Sequence, residues 1–423
     1  MANLRLKYRP APWLPWLLGS ILVSYTFLQL SFSSEELLAP DVVQKGARNE
    51  LKQQLSLICT SPIRKEFPVG CKLEYKDISS DVTIRLTGRS QSKPNYKLKL
   101  IKTNMEPAAD LTTREFNLFS MQQDPTYVRQ LLSFQVARDL GLVKGNSKPR
   151  HVDLILNETH LGLFLLTPKV NRRLLKYSRA SSSTDVSSLI FKVTPAKDLS
   201  NFNKGEIRQI YPKNFRFETD RAFIVKDLFS KVAAAIRKPA EVRQLFEGFD
   251  RQQAVEYYLY SLLIGSKFKS DFFLARNLDT QKSGRFSFIP EFKEFGFGLG
   301  KRKELHSWDH TNESILFQVF NADPDFRKSV RSLWTKLRRN EWTQKNLENK
   351  INSLLPSEAQ AQSDQFIWDL YQPDSSGEVT ALTHRQNIDY LKYWIGKRLL
   401  FLDKHLSGSE YLSGRHHDKQ HVL

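Results

Sequence analysis

The chain has 423 residues, 40% of them hydrophobic, and a formal net charge of +19. That length allows one large domain or two lobes, and the apolar and aromatic content excludes a disordered chain. The charge favours anionic partners. However, the basic residues are dispersed, the longest block being Lys301-Arg302-Lys303, and no zinc-finger spacing or RNA-binding signature occurs, so nucleic acid is not an expected partner.

Arg5, Lys7 and Arg9 precede an uncharged, mainly apolar run at 13–32. Such a run is long enough to cross a bilayer as a helix, and the preceding positive charges orient residues 1–12 toward the cytoplasm. A signal anchor is expected, with a cleaved signal peptide as the alternative. Either one exports the rest of the chain to a cell envelope, periplasm or cell surface. A polar stalk is expected at 33–54. The chain's two cysteines, Cys59 and Cys71, lie close in sequence. In an exported domain they predict a disulfide rather than a metal site, because two thiolates do not complete a zinc shell.

Strand patterns follow at 71–75, 82–86 and 95–101. In the last, Tyr96, Leu98 and Leu100 share one face, and Lys97 and Lys99 share the other. Residues 125–141 predict an amphipathic helix with Val128, Leu131, Leu132, Val136 and Leu140 near one face. A hairpin is expected over 151–167, with Asn157-Glu158 at its tip. The Ser-rich stretch at 178–188 reads as a loop. Helices are expected at about 220–237 and 250–264, and a second hairpin at 272–276 and 286–290. From Ser314 the chain is mainly helical, with a polar tail at 406–423. A β-rich half followed by a helix-rich half predicts an α+β class with two lobes, near 55–200 and 201–405.

Within this order, FIPEFKEFGFG at 288–298 reads as a strand, an acidic turn and a glycine-bounded loop. The two acids of the turn are Glu291 and Glu294, with Lys293 between. Loops of this form at a strand end can hold a metal ion in phosphoryl-transfer proteins. His306, Asp309 and His310 have spacing that resembles half of a zinc site, without a third clustered acid. Asn157-Glu158-Thr159 and Asn312-Glu313-Ser314 match the glycosylation pattern.

Six segments in register resemble the spore-coat CotH kinase family over about 55–405. They are VTIRLTGRSQSKPNYKLKL (82–100), YVRQLLSFQVARDLGL (127–142), RHVDLILNETHLGLFLLTPKVN (150–171), GSKFKSDFFLARN (265–277), FIPEFKEFGFG (288–298) and FNADPDFRKSVRSLWTKL (320–337). The resemblance implies an atypical extracytoplasmic fold of protein-kinase type, with a small β-rich lobe and a larger helical lobe. It also implies ATP and Mg²⁺ or Mn²⁺ as cofactors and a protein substrate.

The family's YKLKL strand supplies a lysine to nucleotide phosphates, and Lys97 or Lys99 matches it; the alternative for both is a solvated strand face. Arg129 matches a family arginine, whose partner is either a phosphate or a carboxylate. Asp271 falls where the family has a metal-binding asparagine, and it is the remaining candidate for the catalytic acid–base residue. Glu294 takes the place of the second metal-binding aspartate, and Phe292 that of the first. Pro168 stands where many members carry a glutamate that pairs with the lysine. These departures leave a second function open: a pseudokinase that binds an anionic cell-envelope partner as a scaffold.

Overall fold

The computed structural model describes most residues from 53 to 408. It does not describe 77, 89–91, 103–112, 144–147, 182–186, 194–206, 213–223, scattered positions between 225 and 240, 266–271, 279–283, 292–295, 300–314 or 369–382. The expected membrane span at 13–32 therefore lies outside the described residues, as do nearly all of the stalk and most of the tail. Among the described residues no helix is long and apolar enough to cross a membrane. Gln53–Leu423 forms one compact unit.

Its first half contains β1 (Gln54–Cys59), β2 (Val69–Tyr75), β3 (Ile78–Thr87), β4 (Asn95–Lys102), β5 (Glu115–Phe119), β6 (Arg150–Leu156) and β7 (Thr159–Pro168). They form a closed barrel in the order β1-β2-β3-β4-β5-β7-β6. Closure comes from a parallel pairing of β1 with β6, in which Leu55 faces Leu154 and Leu57 faces Leu156. A closed barrel leaves no unpaired sheet edge. Strict alternation fills its interior: Val69, Cys71, Leu73 and Tyr75 from β2, Val82 and Ile84 from β3, and Tyr96, Leu98 and Leu100 from β4 are all buried. The β-rich lobe implied by the resemblance is thus a barrel.

The expected disulfide joins Cys59 to Cys71, which face one another across β1 and β2. At the tip of the β6–β7 hairpin, Asn157 and Glu158 both have positive φ, as a two-residue turn matching the strand twist requires.

Helix α1 (Arg129–Asp139) begins later than the pattern over 125–141 suggested. Asp124 governs the entry: its carboxylate accepts from the Thr126 N–H and hydroxyl and from the Arg129 N–H. Tyr127 takes φ 57°, outside the helical range. The helix is also not amphipathic. Arg129, Gln130 and Ser133 are buried along with the apolar residues, because Leu131 packs with barrel-side residues while Val128 and Leu132 enter the helical core.

A second sheet has the order β11-β10-β8-β9, formed by β8 (Ser188–Val193), β9 (Ile207–Tyr211), β10 (Phe272–Asn277) and β11 (Ser287–Pro290). The expected lobe boundary at 200/201 falls inside this sheet, between the paired strands β8 and β9. One face, with Leu189, Phe191, Phe272, Leu274 and Phe288, enters the main core. The other, with Ile190, Phe273, Ala275 and Ile289, packs on Leu174, Leu175 and Tyr177.

The remainder is helical: α2 (Val242–Leu245), α3 (Arg251–Ile264), α4 (Ile315–Ala322), α5 (Pro324–Arg339), α6 (Gln344–Leu354), α7 (Glu358–Trp368) and α8 (His384–Ser407). The described positions between 224 and 235 are helical as well. Asp323 caps α5 with Pro324 behind it, and Thr383 and Gln386 form a capping box on α8. Helix α7 lies in the region expected to be mainly helical but was not singled out there as an element. Its docking onto β7 includes a fully buried ion pair, Lys93 Nζ to Asp364 Oδ1 at 2.6 Å. Asp364 also accepts from the Leu163 N–H. Gly162 permits this approach: a Cβ there would lie 2.3 Å from Asp364 Oδ1.

Candidate functional site

Lys97 lies on the outer face of the barrel and is partly buried, while Lys99, two residues on, is exposed. Their neighbours Tyr96, Leu98 and Leu100 point inward, so alternation alone sends both lysines outward. Lys97 faces Arg85 across β3 and β4. On the second sheet, Lys192 of β8 faces Arg208 of β9. Two like-charged cross-strand pairs are unfavourable unless an anion offsets them. They act on one another: burial holds the Lys97 ammonium below its usual range, and the charges of Arg85, Lys169, Arg208 and Lys192 push it lower.

Two carboxylates border this cluster. Glu115 binds Lys169 at 2.7 Å and Glu291 binds Lys192 at 2.5 Å. Glu115 also faces Lys99 in the β4–β5 register. Pro168 lies opposite Phe116 on β7, and the next residue, Lys169, adds a further cation. The carboxylate that Pro168 does not supply therefore has a neighbour in Glu115, one strand away.

Glu291 connects the cluster to the acidic turn. Phe272 at the start of β10 pairs with Pro290 at the end of β11 and with Val193 at the end of β8. One end of the sheet thus gathers the exit of β8, the entry of β10 and the exit of β11. The chain enters β10 from Asp271 and leaves β11 through Glu291 toward Glu294. Asp271 and Glu294 themselves lie outside the described residues. So do Phe292, Lys293, the His306–His310 pattern and the sequon at 312–314. Among the described residues no group of three or more His, Cys, Asp or Glu could hold a metal ion.

The chain is described again at Gly296, where it is firmly held. The Phe297 N–H donates to the Ile264 carbonyl at 2.7 Å, and the Phe297 ring meets Trp394 edge-on. Gly298 has φ 77°, and a Cβ on it would lie 2.4 Å from Trp394 Cδ1. Arg129 completes the clamp. Its Nη1 donates to Asp124 at 2.5 Å and to Thr126 at 3.1 Å, and its Nε donates to the Phe297 carbonyl at 3.3 Å. Arg129 is thus buried, paired with a carboxylate, and fixed to the backbone just beyond the acidic turn.

A family model described as CotH kinase protein matches residues 84–402. The chain belongs to this CotH family. The match opens within β3, so β1, β2 and the disulfide precede the matched part of this CotH protein, and it extends into α8. No curated protein matches the chain.

Of the cofactor-binding residues expected from sequence, Lys97 stands in the cation cluster and Arg129 in the clamp, while Lys99 is the exposed strand residue. Arg85, Glu115, Lys169, Lys192 and Arg208 were not expected at the site. Arg85 occupies an outward position in a strand that was recognised, so alternation could have revealed it. Lys192 and Arg208 required β8 and β9, and neither strand was recognised.

Proposed function

We propose that this CotH family member binds the phosphates of ATP at the Lys97 cluster and acts as a divergent protein kinase outside the cytoplasm. One observation carries the reading: the Arg85–Lys97 and Lys192–Arg208 pairs converge with Lys169 on a partly open face, and Lys97 is depressed by both burial and like charge. A polyphosphate would relieve that repulsion, and lysines serve phosphates as point charges. The donor set therefore fits a nucleotide's phosphate chain.

Bound ATP would supply the transferable phosphoryl group, and a divalent cation would offset its charge. Within this reading, Lys97 and Lys192 hold the phosphates. Glu291 keeps Lys192 in place, and the Arg129 clamp fixes the loop beyond the acidic turn. Asp271 and Glu294 are the proposed carboxylates for Mg²⁺ or Mn²⁺, and Asp271 is also the proposed acid–base residue for an acceptor hydroxyl. A kinase-like pair of lobes would correspond to the barrel and the helical half.

The extracytoplasmic location rests on the 13–32 run and agrees with the Cys59–Cys71 disulfide, a bond that persists in oxidising compartments. The reading is tested by incubating the full chain in non-ionic detergent with isotopically labelled ATP and Mn²⁺. Label is expected on a protein hydroxyl, lost in Asp271→Asn and Glu294→Gln while both variants keep the native melting transition. Nucleotide binding without any transfer would overturn the kinase reading in favour of a nucleotide-binding scaffold.

A further inference from the structure

Among the described residues, five cations meet at the Lys97 cluster and two carboxylates border it. Arg85 lies opposite Lys97, and Arg208 lies opposite Lys192. Lys169 is the fifth, and all four of the others act on the charge of Lys97. Both carboxylates are already engaged, Glu115 with Lys169 and Glu291 with Lys192. Among the described residues no carboxylate lies within ion-pair distance of Arg85, Lys97 or Arg208. Three positive charges are therefore left over. The loops that open at this end of the second sheet do not reverse the excess, because 266–271 and 292–295 contain Lys267, Lys269 and Lys293 against Asp271 and Glu294. Lys97, Lys169 and Lys192 are also half-buried, where water and salt screen their charges less than at an open surface.

We infer that this cluster binds its nucleotide in the metal-free form, and more tightly than the complex of the same nucleotide with a divalent cation. The inference rests on ATP being the ligand of the Lys97 cluster. Metal-free ATP carries about four negative charges above neutral pH, and its complex with one divalent cation carries about two. Three surplus cations come close to neutralising the first and exceed the charge of the second. A divalent cation on the phosphates therefore brings positive charge into a site that is already positive. The carboxylates agree with this balance. A phosphate-bound Mg²⁺ is steadied by protein carboxylates, whereas Glu115 and Glu291 are each held by a lysine. Lysine and arginine donors bond phosphate oxygens directly. The divalent cation then serves the transfer step, at Asp271 and Glu294, and is not needed for the nucleotide's affinity.

The test is isothermal titration of ATP into the full chain in non-ionic detergent, at about pH 8, where the terminal phosphate is ionised. It is run at one fixed ionic strength, once with EDTA and once with Mg²⁺ in excess over the nucleotide. ATP is expected to bind roughly tenfold more tightly in EDTA, the scale of several screened charge pairs. In Arg85→Gln/Arg208→Gln, which removes two of the three surplus charges, the two affinities are expected to converge. A matched control, Lys345→Gln/Lys397→Gln, removes the same charge from exposed positions on α6 and α8 and is expected to keep the preference. Equal affinity in the two buffers, or tighter binding with Mg²⁺, would overturn the inference and leave ATP binding at the cluster standing. Absence of binding in both buffers would overturn both. A preference that persists in Arg85→Gln/Arg208→Gln, or that falls equally in the control, would also overturn the inference, because the surplus charge of this cluster would not be its source.

Discussion

Lys97 acquires its character from neighbours that are distant in sequence. Two lysines in an alternating strand look equivalent, yet the second sheet brings Lys192 and Arg208 to bear on Lys97, while Lys99 remains exposed. Arg129 is the converse case. Sequence left its partner open between phosphate and carboxylate, and Asp124, five residues upstream, takes it. The same scale gives a stability prediction at Lys93 and Asp364, both fully buried. Asp364→Ala would strand a buried ammonium and cost about 3–5 kcal/mol, whereas Lys93→Met/Asp364→Leu would recover part of that loss, because an apolar pair carries no charge desolvation penalty but removes the Asp364 acceptor of the Leu163 N–H and the Lys93 donor to the Leu163 carbonyl. Urea denaturation of the three proteins checks this. His151 gives a pH prediction. Burial holds its imidazole below the usual range, outweighing its bond to the Tyr127 carbonyl and the pull of Asp124 and Asp153. A folded value below the unfolded value of about 6.5 means that the unfolded chain binds the extra proton first as pH falls. The stability contributed by neutral His151 is therefore complete above about pH 6.5 and lost as pH drops toward the folded value. The denaturation midpoint should fall more steeply between about pH 7 and 5 in the parent than in His151→Asn.

At the scale of elements, strands with a clean period of two were legible, and so were the two hairpins and the long late helices. The missed elements share physical causes. In β1, Ile58 points to solvent at 55% exposure, which breaks the alternation expected of QLSLIC. In β8 the pattern is nearly continuous burial, because the strand is covered on both faces, and a short apolar run of that kind lacks a period to read. Helix α7 combines buried Asp364 and Gln365 with Phe366 at 86% exposure, the inverse of an amphipathic face. Its polar residues serve the docking onto the barrel, which no local pattern announces. The disulfide, by contrast, was legible from two cysteines and an export signal. It joins the end of β1 to β2 beside their connecting loop, across a sequence separation of 12. Cys59→Ser/Cys71→Ser should lower stability by about 3 kcal/mol, the loop-closure contribution for a ring of that size. An unchanged urea midpoint would contradict this prediction.

For the molecule as a whole, the order of strands and helices indicated the α+β class and the CotH resemblance, and the match over 84–402 establishes the family. Closure of the barrel was not legible, because it depends on a parallel contact between strands far apart in sequence. The candidate site was half legible for the same reason. Its lysine strand and acidic turn stood out as motifs, but the cationic partners come from a second sheet assembled from both halves of the chain. The central claim is that this assembly makes a phosphate site at Lys97. Its most direct test is denaturation of the full chain, in non-ionic detergent, with and without ATP and Mg²⁺, comparing the parent with Lys97→Ala and Lys99→Ala. Saturation at a hundredfold excess over Kd should stabilise the parent and Lys99→Ala by about 2.7 kcal/mol and leave Lys97→Ala nearly unshifted. Equal stabilisation of all three proteins, or of none, would contradict the account.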